Sequence, residues 1–501
     1  MTGILLAVLY AAFFIFLIKR VSFFQDSDIY KNAFVVVFLV KIFFGIIFWM
    51  VYTLHTPYQQ RADALLYFDD GNAIYQAFFE NPVAYFKILF GFEDASLNYY
   101  LDNAGHWNMA YHQGLFNENR SIIRFNALVD IFSFGNYHVH TIFMCFLSLM
   151  GLTGLYKAFE PSFKDKKKEL FLVIFFLPSV LFWGSGVLKE GLTICFSGML
   201  IYHWFKLSVE VVSSKRIALI ILFAGLLFFT KLYLLVILLP ALIAHLLIAK
   251  THYKYATLKY AAVFFLGGGL AILIAGKNIP LSLKDKQKQG VQLASGGSFL
   301  GIPEEKKFVY ISSKIKSRIV PIPNKPGYCK IEKGVPYITW LRTTLVDSTY
   351  VLHSVDTATY WIYYDIKEAG SHINITLLSP TYTSIFKNAP EAFFNTAFRP
   401  HFGDAKNLLM VMSSAENFII VCIMVLCILF SSKKNLNYPL LYFCFSIVVL
   451  LFILIGLTIP ILGGVVRYKS PVLPFFLIPF LLLLSKEKLF MKLPFLKKIL
   501  G

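Results

Sequence analysis

Charge is scarce in this chain. Only 15% of its residues are Asp, Glu, Lys or Arg, against about 25% in a soluble domain. The motifs of common energy-linked chemistry are missing too. There is no Walker sequence, no dinucleotide-binding glycine pattern and no Cys/His set with zinc spacing, so ATP is not the expected energy source at this chain. Cysteines number six, and five of them (Cys145, Cys195, Cys422, Cys427, Cys444) fall in or beside apolar segments. Cys329 stands alone in a polar stretch, so no disulfide framework is implied. No internal repeat suggests a transporter built from duplicated halves.

Apolar residues are abundant: 57% of the 501 residues are hydrophobic, 52 are Phe, and mean hydropathy is +0.65. They form unbroken runs at Ile4 to Ile18, Ala33 to Val51, Leu170 to Phe182, Ile217 to Phe229, Leu232 to Ala249, Phe418 to Phe430 and Val472 to Leu484. Only the second contains a charge, Lys41. Spanning lipid takes about 20 apolar residues, fewer where flanks are amphipathic. Lipid admits only helices or closed barrels, and these runs do not alternate as barrel strands would. The expected fold is an all-α polytopic membrane protein.

Orientation follows from the lysines. Short basic loops lie at Lys19-Arg20, Lys157 to Lys168, Lys215-Arg216, Lys250 to Lys259, Lys433-Lys434 and Lys486 to Lys498. All six can be cytoplasmic if Ile217 to Ala249 is a hairpin of two short legs with Lys231 at its apex. That arrangement gives about 11 transmembrane helices, N-terminus out and C-terminus in, in the cytoplasmic (inner) membrane. The net charge of +19 then reflects orientation and lipid headgroups, not nucleic acid, because the basic residues form no single stripe. The expected divisions are two N-terminal helices (1–53), a first extracytoplasmic loop with amphipathic helices (54–137), a bundle (138–276), a second extracytoplasmic loop (277–407), and C-terminal helices with a basic tail (408–501).

On this topology the awkward polar groups fall on the outer side: Asp63, Asp69, Asp70, Lys189, Glu190, Lys231, Arg399, Glu416, Arg467 and Lys469. The first outer loop opens with Arg61, Asp63, Tyr67, Asp69, Asp70 and Gly71. On a helix Asp63 and Asp70 share a face with Tyr67 between them. Gly71 is expected to end that helix, and Asn81-Pro82 to start another. A carboxylate there can accept a proton from a hydroxyl, hold a divalent metal such as Mg or Mn, or simply cap a helix. Lys469 and Lys277 are expected to snorkel to headgroups. Lys41, mid-helix, costs about 2.5–3.5 kcal/mol on insertion scales and must face protein or water; it receives no role. His106, His112, His138 and His140 are expected in packing or surface roles, and Asn374-Ile-Thr376 decides nothing.

Together these segments resemble the C-type glycosyltransferases (GT-C), integral membrane enzymes that take sugars from polyprenyl-phosphate carriers. Asp63, Asp69 and Asp70 stand where that superfamily has an acidic motif in its first large outer loop. The tail from Gly464 through Arg467, Tyr468, Lys469 and Pro471 to Pro474 is similar to the Arg-Tyr-(Arg/Lys)-x-Pro-x-x-Pro segment that opens the last helix of many bacterial relatives. The segments Leu177 to Glu190 and Phe398-Arg399-Pro400 look like parts of proteins encoded with bacterial surface-polysaccharide genes. The resemblance implies a GT-C-like fold and a catalytic base among Asp63, Asp70 and Asp69, with Asp63 preferred because Arg61 lies nearby. Carrier phosphate is expected at Arg467, Lys231, Lys189 and Arg399, supported by Glu190, Glu416, Tyr67 and Lys469. The expected partners are a polyprenyl-phosphate-linked sugar donor, a glycan, lipid or protein acceptor, and membrane lipids. No metal site is assigned, though a divalent cofactor stays open. A surface-polysaccharide polymerase or ligase is the alternative, leaning on outer arginines; a lipid or solute transporter would place its polar groups at the midplane.

Overall fold

The computed structural model describes residues 2–25, 32–54, 62–92, 94–101, 104–107, 118–251, 255–276, 278–302, 307–340, 352–355, 359–433 and 436–497. Arg61, His112 and Lys277 lie outside the described residues. Among those described, nine helices are long and apolar enough to cross a membrane, so the protein is a helical, polytopic membrane protein. In chain order the helices begin with α1 (Thr2–Arg20), α2 (Ala33–Leu54), α3 (Asp63–Glu80), α4 (Pro82–Phe90), α5 (Asn98–Leu101), α6 (Asn119–Ser133) and α7 (Tyr137–Phe159). Next come α8 (Lys167–Phe175), α9 (Pro178–Trp183), α10 (Lys189–Val209), α11 (Ser214–Thr251), α12 (Ala256–Ala275) and α13 (Asn278–Ser295). After a sheet follow α14 (Tyr382–Phe398), α15 (Leu408–Leu429), α16 (Tyr438–Thr458), α17 (Leu462–Lys469), α18 (Leu473–Leu483) and α19 (Lys486–Lys492).

The chain divides into two compact units. Unit 1 is Met1–Phe265, Ile419–Val448 and Ser470–Gly501; unit 2 is Leu266–Phe418 and Val449–Lys469. In unit 1, α7 and α10 cross on paired glycines: a Cβ on Gly198 would sit 2.1 Å from the Gly151 carbonyl oxygen. Small residues let helix backbones approach this closely where lipid provides no hydrophobic drive. Aromatic rings fill the α1–α2–α7 contact, with Phe14 stacked on Phe146 at 4.3 Å.

Two breaks in unit 1 position the site. The first lies between α9 and α10, where residues 184–188 leave helical geometry and free backbone carbonyls. Lys41, fully buried, donates to the Gly184 carbonyl oxygen at 3.2 Å. A buried lysine and an orphaned carbonyl thus satisfy each other, which gives Lys41 a structural role. The second break is Lys231, whose backbone (φ −152°, ψ 74°) is non-helical inside α11. His203 stacks on Phe223 and Phe205 on His245. A straight helix would hold residues 223 and 245 about 33 Å apart; here both reach the same turn of α10. The chain therefore folds back at Lys231, as the interrupted apolar run suggested.

Outside these spans, α3 lies on α6. A Cβ on Gly71 would fall 2.4 Å from Asn126 Cβ, so glycine here buys close packing. Gly71 does not end the helix: α3 continues to Glu80, because its glycine is spent on the α6 contact. Pro82 opens α4, with Asn81 Oδ1 accepting from the Ala84 amide at 3.1 Å, and Gly91 closes it in the left-handed region.

Unit 2 holds an element the all-α expectation lacked, a seven-stranded antiparallel sheet. Its strands are β1 (Gly297–Ile302), β2 (Lys307–Ser312), β3 (Ile319–Pro321), β4 (Tyr328–Ile331), β5 (Val335–Trp340), β6 (Leu352–Val355) and β7 (Thr359–Ile366), in the order β3-β4-β7-β1-β2-β5-β6. Leu300, Ile311, Cys329, Ile331 and Val335 form its core. Beside it α14 and α16 meet at Gly456, where a Cβ would lie 2.0 Å from the Ala392 carbonyl oxygen. Gln287 of α13 donates to the Thr376 and Leu457 carbonyls at 3.0 and 2.8 Å, tying these pieces together.

Candidate functional site

In unit 1 the polar groups converge where α3, α6, the start of α10 and the fold-back of α11 meet. Lys189, on the first turn of α10, donates to Asn119 Oδ1 at 2.9 Å, and Tyr67 Oη donates to the same oxygen at 3.0 Å. Lys189 also lies 3.7 Å from Glu118. Lys231 stands 3.9 Å from both Glu118 and Glu190. All but Glu118 are buried, and buried charges persist only when paired. The expected trio Lys189, Glu190 and Lys231 is thus brought together with Tyr67. The two residues that join them, Glu118 and Asn119, were missed. Their signal was a polar Asn-Glu-Asn-Arg run opening an amphipathic helix.

The acids divide by environment. Asp70 is buried, and its Oδ2 accepts from the His106 amide at 2.8 Å and contacts His106 Nδ1 at 3.1 Å. That hydrogen bond, with the nearby Asp70 and Asp63 charges, raises the His106 imidazole above its ordinary pKa. Asp63 is half-buried at the first turn of α3, near enough for its charge to act on His106. Asp69 is exposed on the other side of α3; desolvation first, and then the Asp70 charge, holds its carboxyl above the usual range. Among the described residues no group of three or more His, Cys, Asp or Glu is arranged to hold a metal ion.

Below Tyr67 runs a second polar layer. Asn126 Nδ2 donates to the Tyr67 carbonyl at 2.9 Å, while Asn126 Oδ1 lies 3.0 Å from His140 Nδ1. His140 Nε2 lies 2.8 Å from Asp130 Oδ1, which also accepts from Ser133. Asn119 and Asn126, two turns apart on α6, therefore fix Tyr67 at hydroxyl and backbone. On another side of α6, Arg120 and Arg124 each place a guanidinium 4.9 Å from the Trp107 ring, and Arg120 Nε donates to the Trp107 carbonyl at 3.1 Å. Arg124 Nε and Nη2 are buried without a hydrogen-bond partner. Neither arginine was singled out from sequence, although Arg-x-x-x-Arg at helical spacing marks one face.

In unit 2 the remaining expected residues form their own group. Arg399 grips Asp404 with Nε at 3.0 Å and Nη2 at 2.5 Å. The pairing holds Asp404 below, and Arg399 above, its ordinary pKa. Lys469 is buried and donates to the Thr396 and Arg399 carbonyls and to Asn417 Oδ1, each at 3.1 Å. It does not snorkel, because two oxygens at the end of α14 and one from Asn417 of α15 hold it inside the fold. Glu416, also buried, lies close enough for its charge to act on Lys469. Arg467 is half-buried, with its guanidinium 5.8 Å from the Tyr468 ring.

Comparison with protein-family models, with curated proteins and with solved structures finds no match to this chain. Function has to be argued from the site itself.

Proposed function

We propose that this chain is a membrane glycosyltransferase that moves a sugar from a polyprenyl-phosphate carrier to an acceptor on the extracytoplasmic face, in assembly of cell-surface glycan. The observation that supports this reading best is the unit 1 cluster. Two buried lysines, Lys189 and Lys231, stand at helix breaks beside an outer amphipathic helix that carries Asp63 and Asp70. Transfer from such a carrier needs cations near the departing phosphate and a carboxylate near the acceptor hydroxyl. The broken α8–α9 segment and the two legs of α11 bring the crossings to eleven. With the basic loops cytoplasmic, the N-terminus is outside and the C-terminus inside. Unit 1 also gathers Lys166, Glu169 and Lys486 at the opposite helix ends, where Lys486 pairs with Glu169 at 2.8 Å.

Asp63 is the proposed base. Asp70 gives its Oδ2 to two His106 donors and serves better to position the loop, and Asp69 faces outward. The test incubates purified protein with a panel of polyprenyl-linked sugars and measures release of carrier phosphate. Asp63→Asn should lower turnover by about 10²–10⁴-fold with donor binding retained. Full activity in Asp63→Asn, Asp69→Asn and Asp70→Asn alike would hand the function to the arginine-dependent polymerase or ligase.

A further inference from the structure

Several cations of this fold stand beside an anion. Lys189 has Glu118, Lys231 has Glu118 and Glu190, and Arg399 has Asp404. Arg124 has none of these: two of its three guanidinium nitrogens are buried without a hydrogen-bond partner. Among the described residues, the neighbouring charge that acts on it is that of Arg120, a second cation. Two guanidinium groups share a single indole, each 4.9 Å from the Trp107 ring. Cation–π contact eases their burial, yet it leaves the donors of Arg124 unsatisfied, which is costly in a protein interior.

We infer that Arg120 and Arg124, which share the Trp107 ring, form an oxyanion seat that takes a phosphate group of the carrier lipid. A guanidinium edge presents two parallel N–H donors, which match two oxygens of a phosphate. A phosphate has further oxygens to give to the second arginine, whereas a carboxylate has two in all. Burial, and then the Arg120 charge, lower Arg124 to about 10, so it stays cationic at neutral pH. Arg120 and Asn119 are adjacent, so the seat adjoins the Tyr67–Asn119–Lys189 contacts. The inference rests on the glycosyltransferase reading for the identity of the anion, not for the existence of the seat.

The test uses full-length protein in detergent and a short-chain polyprenyl phosphate as probe, with inorganic phosphate and glucuronate as competitors. Arg124→Gln should weaken probe binding by about 10–100-fold, the usual worth of a hydrogen bond to a charged group. Arg124→Lys should weaken it less, and Arg318→Gln, at an exposed ion pair in unit 2, should leave it unchanged. Inorganic phosphate should compete and glucuronate should not. Without probe, Arg124→Gln should unfold no earlier than the native protein, because it removes an uncompensated charge; a purely structural arginine would give the opposite result. Native-like probe binding by Arg124→Gln, early unfolding without loss of binding, or competition by glucuronate in place of phosphate would overturn the seat. Arg124-dependent binding in a protein that transfers no sugar would leave the seat standing and remove the transferase. Sugar transfer with Arg124→Gln binding as tightly as native would do the reverse.

Discussion

Replacing Lys469 with methionine tests whether the conspicuous cations of unit 2 are structural. The side chain is 1% exposed, and its ammonium donates to Thr396 O, Arg399 O and Asn417 Oδ1. Thr396 and Arg399 belong to the end of α14, where helix carbonyls have no partner of their own. Methionine matches the length of the lysine stem and offers no donor. Each buried acceptor left without its hydrogen bond costs about 1–3 kcal/mol, and the relief of no longer burying a cation offsets part of the total. A net loss of about 3–5 kcal/mol follows, the usual result of breaking a buried charged contact from one side. For a unit of this size that is a fall of roughly 6–20 °C in unfolding midpoint, read by thermal denaturation of the purified protein. A Lys469→Met protein that unfolds with the native midpoint but no longer binds carrier would refute this reasoning and return Lys469 to the ligand.

The Asp70–His106 contact makes a signed pH prediction. The folded imidazole sits above its ordinary value near 6.5, so its stabilisation is fully present below about pH 6.5 and is lost as pH rises through the folded value. His106→Asn should flatten the pH dependence of unfolding in that window, and an unchanged profile would remove the contact from the account. Reporter fusions at Asn98, at Gly297 and at the C-terminus test the topology: the first two should report one side and the third the other. Opposite sides for Asn98 and Gly297 would end the proposed orientation.

Much of the membrane architecture was legible in sequence because lipid imposes a long, unmistakable apolar period on each span. Lys231 stood out for interrupting such a run, and the structure puts the reversal of α11 at that residue. Lys41 was conspicuous but uninterpretable, since its acceptor, the Gly184 carbonyl, lies in a helix break far along the chain. The sheet was readable in part: β7, Thr-Tyr-Trp-Ile-Tyr-Tyr-Asp-Ile, is rich in aromatic and β-branched residues, and Gly327 and Gly334 take the left-handed region on either side of β4. Its pairing order was not, because β1 lies between β7 and β2 and that register depends on distant strands. Glu118, Asn119, Arg120 and Arg124 escaped notice for a different reason. They sit in a polar helix outside the spans, where a charged residue is ordinary until its neighbours are known.

Conspicuous position and chemical availability turn out to be different properties. Arg399 and Lys469 drew attention because they interrupt or border apolar sequence, yet each is held by oxygens of its own unit. An ammonium whose three donors are already taken up by its own fold, as at Lys469, gains little from a ligand phosphate, since the new contact must first displace an old one. Arg124 is the reverse case: unremarkable in sequence, half-buried in structure with two guanidinium nitrogens that lack a hydrogen-bond partner, and sharing one indole with another cation. Repulsion and desolvation both oppose bringing two guanidinium groups together at one indole. Such an arrangement is stabilised when an oxyanion binds, and the free energy of that binding then appears as affinity. The acids of α3 point to the same end of unit 1, since Asp70 and Asp63 act on His106, and His106 is one residue from the indole that the two arginines share.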